Sequence, residues 1–172
     1  MWPEKFNNKT NGVTPRRWLH HCNPRLSALI SSRIGQDWTQ DFSQISSLRR
    51  YYDDVDFQLQ WQLVKQQNKQ ALAELVKEVC GVEFPTHMLF DVQVKRMHEY
   101  KRQLLNILHV VHLYEQIRRG ETQDMVPRCV LIGGKSAPGY AMAKLTIKLI
   151  NNIAATINAD PQAQPWLRVA FL

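Results

Sequence analysis

The chain has 172 residues, 44% of them apolar, and a formal net charge of +7. That length and apolar content suit one well-buried domain, or a domain with a helical appendage, and argue against disorder. The positive balance points to an anionic partner and leaves nucleic acid, an acidic membrane surface and a phosphorylated small molecule open.

The three cysteines, Cys22, Cys80 and Cys129, form an odd set without paired metal-ligand spacing. This fits a reduced, cytoplasmic chain better than a disulfide framework. His20, His21 and Cys22 are contiguous, which suits few metal geometries, so no metal is expected. No leader pattern is recognisable, and no apolar run approaches the ~20 residues of a membrane span. The expectation is a soluble, intracellular, basic protein.

Along the chain, residues 5–18 read as a polar, ordered loop with turn signals at Asn11-Gly12 and Thr14-Pro15. A short helix follows, with Asn23 as cap, Pro24 in the first position and Gly35 as stop. A second short helix is expected over 43–50. A long one is expected over 54–80, with Phe57, Trp61, Val64, Leu72, Leu75 and Val79 on one stripe and Gly81 as its end.

After Pro85 the pattern changes. "MLFDVQV" reads as a strand and 101–119 as a helix whose apolar side is Leu104, Leu105, Leu108 and Val111. "RCVLI" reads as a buried strand ending at Gly133-Gly134. The next helix begins at Ser136, its expected cap, with Met142, Leu145, Leu149, Ile153 and Ile157 on one face. "LRVAFL" is a third strand. Strand–helix–strand–helix–strand with short connections predicts a parallel α/β unit. A parallel strand in last place suggests a piece of a longer protein.

The densest chemistry lies in "DVQVKRMHEYKRQLLN", residues 91–106, where Lys95, Arg96, Lys101 and Arg102 fall within eight positions. Ligands of parallel α/β sheets gather at the carboxyl ends of strands, beside helix N-termini. Lys95, Arg96 and Lys101 could converge there on a phosphate, with arginine as a two-pronged donor and lysine as a point charge. A solvated basic turn is the ordinary alternative. Cations at a helix N-terminus oppose its dipole by ~0.3–1 kcal/mol each, which favours an anion site.

His98 beside Glu99 reads as a hydrogen-bonding pair or as a ligand contact. Gly133-Gly134-Lys135 resembles part of a phosphate-cradling turn but lacks a full nucleotide motif. Tyr140 reads as packing and Trp18 as core, with stacking on a ligand as the alternative for each. Asn11 is a turn residue or a hydroxyl ligand. No helix-turn-helix or RNA-binding signature supports nucleic acid.

Three stretches taken together, "KFNNKTNGVTPRRW", "FDVQVKRMHEYKRQLLN" and "GGKSAPGYAMAK", resemble the α-glucan phosphorylases, the family of glycogen, starch and maltodextrin phosphorylases. The resemblance runs from residue 4 to residue 172. It implies a GT-B type glycosyltransferase with its active site between two Rossmann-like lobes. Such enzymes cleave terminal α-1,4-linked glucose with inorganic phosphate, giving glucose 1-phosphate with retained configuration. Their pyridoxal phosphate works through its 5′-phosphate, which exchanges a proton with the substrate phosphate while an oxocarbenium-like sugar develops. Two neighbouring phosphates account for clustered lysine and arginine.

Carried over by motif, Arg96 binds the substrate phosphate, Lys101 lies between the two phosphates and Lys95 contacts the cofactor phosphate. Tyr100 and Asn11 bond the glucosyl unit, with His98 in the same motif, and Trp18 packs near the cofactor. Tyr140 matches an aromatic that lines a purine-type inhibitor pocket in animal members. The resemblance further implies a cytoplasmic, allosteric, homodimeric parent that acts on phosphate and α-1,4-glucan rather than nucleic acid or membrane.

The family's glycine-rich segment ending in the cofactor-bearing lysine does not occur in these 172 residues. Lys95, Lys101 and Lys135 are therefore not Schiff-base lysines, and the isolated chain is expected to be inactive. The expected organisation is a loop and helical segment at the lobe junction over 1–85, then a truncated, partial Rossmann-like βαβαβ unit over 86–172. A stand-alone phosphate- or nucleotide-binding module is the runner-up, and a basic nucleic-acid-binding domain the third reading.

Overall fold

A computed structural model describes residues 2–7 and 12–172 of the chain. Its contacts separate into two units, Met1–Gln66 and Gln67–Leu172.

In the first unit a π-helical turn, Arg16–His21, leads to helix α1, Pro24–Ile34. The helix starts where the sequence provides a cap: Asn23 Oδ1 accepts the Leu26 amide at 3.3 Å. Pro24 occupies the first turn, where a missing N–H costs nothing. Gly35, at φ 78°, ends the helix in a conformation that a side chain would disfavour. The next segment, Phe42–Tyr51, is 3-10 rather than α-helical. It carries three serines, Ser43, Ser46 and Ser47, a residue type that weakens a regular α-helix because its hydroxyl can bond nearby backbone. Asp41 caps it by accepting the Ser43 amide at 3.1 Å. Leu29, Ile30, Trp38 and Phe57 are buried, and the Trp38 indole donates to Ser31 Oγ at 3.0 Å.

Helix α2, Val55–Cys80, contains the division between the units and ends at Gly81, at φ 68°. Strand β1, Leu89–Val94, helix α3, Gln103–Arg118, strand β2, Arg128–Gly133, helix α4, Ala141–Ala159, and strand β3, Leu167–Phe171, follow in turn. The sheet is parallel throughout in the order β1-β2-β3, with Val92 opposite Leu131 and Leu131 opposite Ala170. This is the expected α/β, partial Rossmann-like βαβαβ architecture.

The two crossovers put α3 and α4 on one face. There Ile107, Val110, Ile150 and Ile157 pack with Val130, Ile132, Leu167 and Val169. On the other face Ala73 and Val76 of α2 join Phe84, Met88, Cys129, Leu131 and Ala170. β2 is covered on both sides, which explains its run of Cys129, Val130, Leu131 and Ile132 without polar alternation.

The helix faces differ from the expected ones. On α3 the sheet is met by Ile107, Val110, Leu113 and Ile117, while Leu104, Leu105 and Leu108 are 46%, 61% and 52% exposed. The helix is apolar around most of its circumference, so periodicity offers two seams and cannot choose between them. On α4 Ile157 is buried as expected, but Met142, Leu145 and Leu149 face outward. Ala143 and Ala154, small enough to bring the helix close, lie inward with Ile150. On α2 Ala73 and Val76 are buried, whereas Leu75 and Val79 are exposed.

Two helix starts also differ. α3 begins at Gln103 because Glu99–Lys101 form a 3-10 turn and Arg102 is left-handed at φ 62°. α4 begins at Ala141. Ser136 donates to the Ala137 carbonyl instead of capping, and the Tyr140 amide closes a turn on that same carbonyl around Pro138 and Gly139.

α4 ends at Asp160. Its carboxylate accepts the Tyr114 hydroxyl at 2.8 Å, the Arg118 guanidinium at 3.2 Å and the Gln162 amide at 2.9 Å. These bonds, the Tyr114 hydroxyl foremost, hold Asp160 below the ordinary aspartate range. A depressed folded-state value stabilises above the unfolded value, and the contribution is lost as pH falls through the folded one. Asp160→Asn should therefore lower the melting temperature at neutral pH. The gap from wild type should close in thermal melts taken progressively below the ordinary aspartate value of about 3.9.

Candidate functional site

All three strands point their carboxyl ends to one edge, and the chain leaving each is tied there to its neighbour. The Lys95 amide donates to Gly133 O at 3.0 Å, Met97 N to Lys135 O at 3.2 Å and Gly134 N to Leu172 O at 3.0 Å. Gly134 has φ 152°, and a Cβ there would collide with the Lys95 carbonyl oxygen. Met97 anchors the excursion by inserting into the core, at 1% exposure. Lys95 and Arg96 are left outside.

The chain then turns back. Lys101 N donates to His98 O at 3.0 Å and Arg102 N to Glu99 O at 3.1 Å. Three side-chain amides hold this return: Gln103 Nε2 donates to Arg96 O and Gln93 Nε2 to Lys101 O, both at 3.1 Å. Asn106 Nδ2 donates to Gln93 Oε1 at 2.8 Å. Sequence reading passed over these amides. The available signal was a polar Gln103 in register with Ile107 and Val110 on the inner face of α3.

Lys95, Arg96, His98, Tyr100 and Lys101 therefore share one corner with Tyr140. The His98 ring lies 5.5 Å from Tyr100 and 5.6 Å from Tyr140. Glu99 is bonded to Tyr140 rather than to His98: the Tyr140 hydroxyl donates to Glu99 Oε2 at 2.8 Å. That bond raises the Tyr140 hydroxyl above the ordinary phenol range. The Tyr140 ring also packs against the core, as expected. A cleft of about 120 Å³ between the starts of α3 and α4 is bordered by Met97, His98, Glu99, Gln103, Met142 and Thr146. A larger one, about 560 Å³, lies beside Leu113, Gln116, Gly120 and Arg128 and holds none of the candidate residues.

Electrostatically the corner is one-sided. Among the described residues, none of Lys95, Arg96 and Lys101 is in an ion pair. Neither α3 nor α4 has a side-chain cap or an acid in its first turn. Unpaired cations beside two open helix N-termini are suited to binding an anion. Of the remaining candidates, Trp18 lies in the first unit and is 56% exposed, not core, and Asn11 lies outside the described residues. Among the described residues there is no metal-ligand cluster and no helix long and apolar enough to cross a membrane.

A family model for carbohydrate phosphorylases matches residues 1–172. The chain belongs to the carbohydrate phosphorylase family. A glycogen phosphorylase of Synechocystis sp. is 52% identical over 172 residues, covering 100% of this chain and 20% of the relative. The muscle-form glycogen phosphorylase of Mus musculus is 51% identical over 170 residues, and the liver form of Homo sapiens 49% over 170. Each of these two alignments covers 99% of this chain and 20% of the relative. The chain thus spans about a fifth of the length of the curated relatives it matches.

The crossing at Gly134 gives a direct stability test. Gly134→Ala should cost at least about 2 kcal/mol, since backbone must move to admit the methyl group. Gly139→Ala, with nothing within 4 Å of the new atom, should stay within about 1 kcal/mol of wild type. Chemical denaturation of the two variants checks the contrast.

Proposed function

We propose that residues 95–101 are the phosphate-holding corner of a pyridoxal-phosphate-dependent α-glucan phosphorylase. The enzyme transfers a terminal α-1,4-linked glucosyl unit to inorganic phosphate and releases glucose 1-phosphate with retention. The observation that carries this reading is the set of three cations, unpaired among the described residues, at the carboxyl edge of a parallel sheet.

In this reading Arg96 grips the substrate phosphate with paired N–H donors, Lys95 meets the cofactor phosphate and Lys101 neutralises both. Two unit charges 4 Å apart interact by about 4 kcal/mol at an effective dielectric of 20. Two phosphates can therefore share a corner only with cations between them. Tyr100, Asn11 and His98 hold the glucosyl unit, Trp18 packs near the cofactor, and Tyr140 borders the entrance.

The donor set fits the phosphate end of pyridoxal phosphate, since ammonium and guanidinium groups stand there without acidic partners among the described residues. It does not supply the aldehyde end, because the family's glycine-rich segment ending in the cofactor-bearing lysine does not occur in these 172 residues. When bound, the cofactor supplies a phosphate able to give and take a proton. This chain's residues hold the anions in place and shield their charge. Residues 1–85 stand at the lobe junction and 86–172 begin the lobe's sheet. The cysteines Cys22, Cys80 and Cys129 are all free, in keeping with the reducing cytoplasm.

In the whole enzyme, Arg96→Ala should lower kcat/KM for phosphorolysis at least about a hundredfold, the scale of losing one charged transition-state contact. Glucan affinity should change little. Unchanged phosphorolysis would overturn the reading, as would nucleic-acid binding that falls steeply with salt and ignores phosphate.

The 172-residue chain alone, incubated with pyridoxal phosphate, should show no absorbance band that survives dialysis and no glucose 1-phosphate production. A persistent band, converted by borohydride to a reduced adduct at Lys95, Lys101 or Lys135, would contradict this.

A further inference from the structure

Long cationic side chains lose rotamer entropy when they hold an anion, so how well they hold it depends on where their backbones are fixed. Besides its backbone bonds, the excursion from β1 to α3 is pegged by side-chain amides at two carbonyls, and these belong to Arg96 and Lys101. The Arg96 carbonyl accepts Gln103 Nε2, and the Lys101 carbonyl accepts Gln93 Nε2, each at 3.1 Å. Gln93 is itself oriented by Asn106 Nδ2 at 2.8 Å. The first peg comes from the helix that follows the loop, and the second from the strand that precedes it.

The placement of Gln103 is costly by the ordinary rules of packing. It is 2% exposed, and with Ser27 it makes up the buried polar residues among those described. It opens an inner face otherwise made of Ile107, Val110, Leu113 and Ile117. Burying an amide is unfavourable unless it is hydrogen-bonded. Methionine would fill that position without the requirement. The amide therefore serves a local geometry rather than the core. That geometry includes Arg102 at φ 62°, a left-handed position held by a residue other than glycine, which persists where the surroundings enforce it.

We propose that Gln103 and the Gln93–Asn106 pair are positioning residues for the phosphate-binding cations. Gln103 fixes the backbone from which Arg96 projects. The Gln93–Asn106 pair fixes the backbone from which Lys101 projects. The anion then meets a preformed corner and does not have to order the loop on arrival. The proposal rests on the reading of Arg96 and Lys101 as phosphate ligands. The three amide donors are engaged by the Arg96 and Lys101 carbonyls and by Gln93 Oε1, so they act through the backbone.

The test is a double-mutant cycle in the whole enzyme, read as the Kd of inorganic phosphate by calorimetry alongside the KM for glucan. Gln103→Met keeps length and removes the donor. It should weaken phosphate about tenfold, leave the glucan KM within about twofold, and leave the melting temperature near wild type, since an apolar side chain fits that face. In an Arg96→Ala background the same substitution should add almost nothing, because its effect acts through Arg96. Gln93→Met should behave likewise against Lys101→Ala, and it supplies the answer if Gln103→Met does not fold.

Losses that add independently in both backgrounds would overturn the proposal, and so would phosphate affinity within twofold of wild type for both glutamine variants. If Arg96→Ala and Lys101→Ala leave phosphate affinity unchanged, the phosphate-ligand reading falls instead, and the positioning proposal with it.

Discussion

Where the chain leaves β1, its backbone runs against the backbone leaving β2, bonded from Lys95 to Gly133 and from Met97 to Lys135. This approach is too close for a side chain at Gly134, and much else follows from it. It obliges the chain to continue along the sheet edge before turning back into α3. It sends Met97 into the core and leaves Lys95 and Arg96 outside. It also draws the start of α4 close, so that Tyr140 reaches Glu99. A wider exit would allow the same residues without bringing them to one corner.

That corner sets local stability against binding. Cations near open helix N-termini oppose the dipole by ~0.3–1 kcal/mol each, and no carboxylate among the described residues pairs with Lys95, Arg96 or Lys101. Glu99, the acid within the loop, is engaged by Tyr140 and so is held in a structural bond. An arrangement that leaves its cations unmatched, and ties away its own acid, is less stable alone than with an anion. Departures from local optimality of this kind collect at functional sites.

What could be read from the sequence was whatever local chemistry decides. The start of α1 follows from Asn23 and Pro24, its end from Gly35, and β2 from an uninterrupted apolar run between turn signals. The corner was legible because charge density and strand end coincide in a few residues. The seating of the helices was not. α3 has apolar residues on opposite sides, and only the sheet determines that Ile107 and Val110 turn inward while Leu104 and Leu108 turn out. Ser136 looked like a cap because it precedes the helix pattern, but Pro138 and Gly139 form a turn that delays the helix to Ala141. The pegs at Gln93, Gln103 and Asn106 depend on a chain reversal that no sequence window contains.

The outward residues of α3 and α4 bear on how the corner would be completed. Leu105 and Leu108 on α3, and Met142 and Leu145 on α4, are each close to half exposed or more, although water-facing helix surfaces are ordinarily charged or polar. A helix apolar on both sides is suited to an interior, with a second neighbour opposite the sheet. The sheet supplies one neighbour here, and the chain spans about a fifth of the length of its relatives. The same asymmetry marks the corner, where cations are gathered without carboxylate partners among the described residues. Exposed apolar faces and cations without carboxylate partners among the described residues are two forms of one condition. Each is a local structure whose energetics close only against groups that this segment does not itself provide.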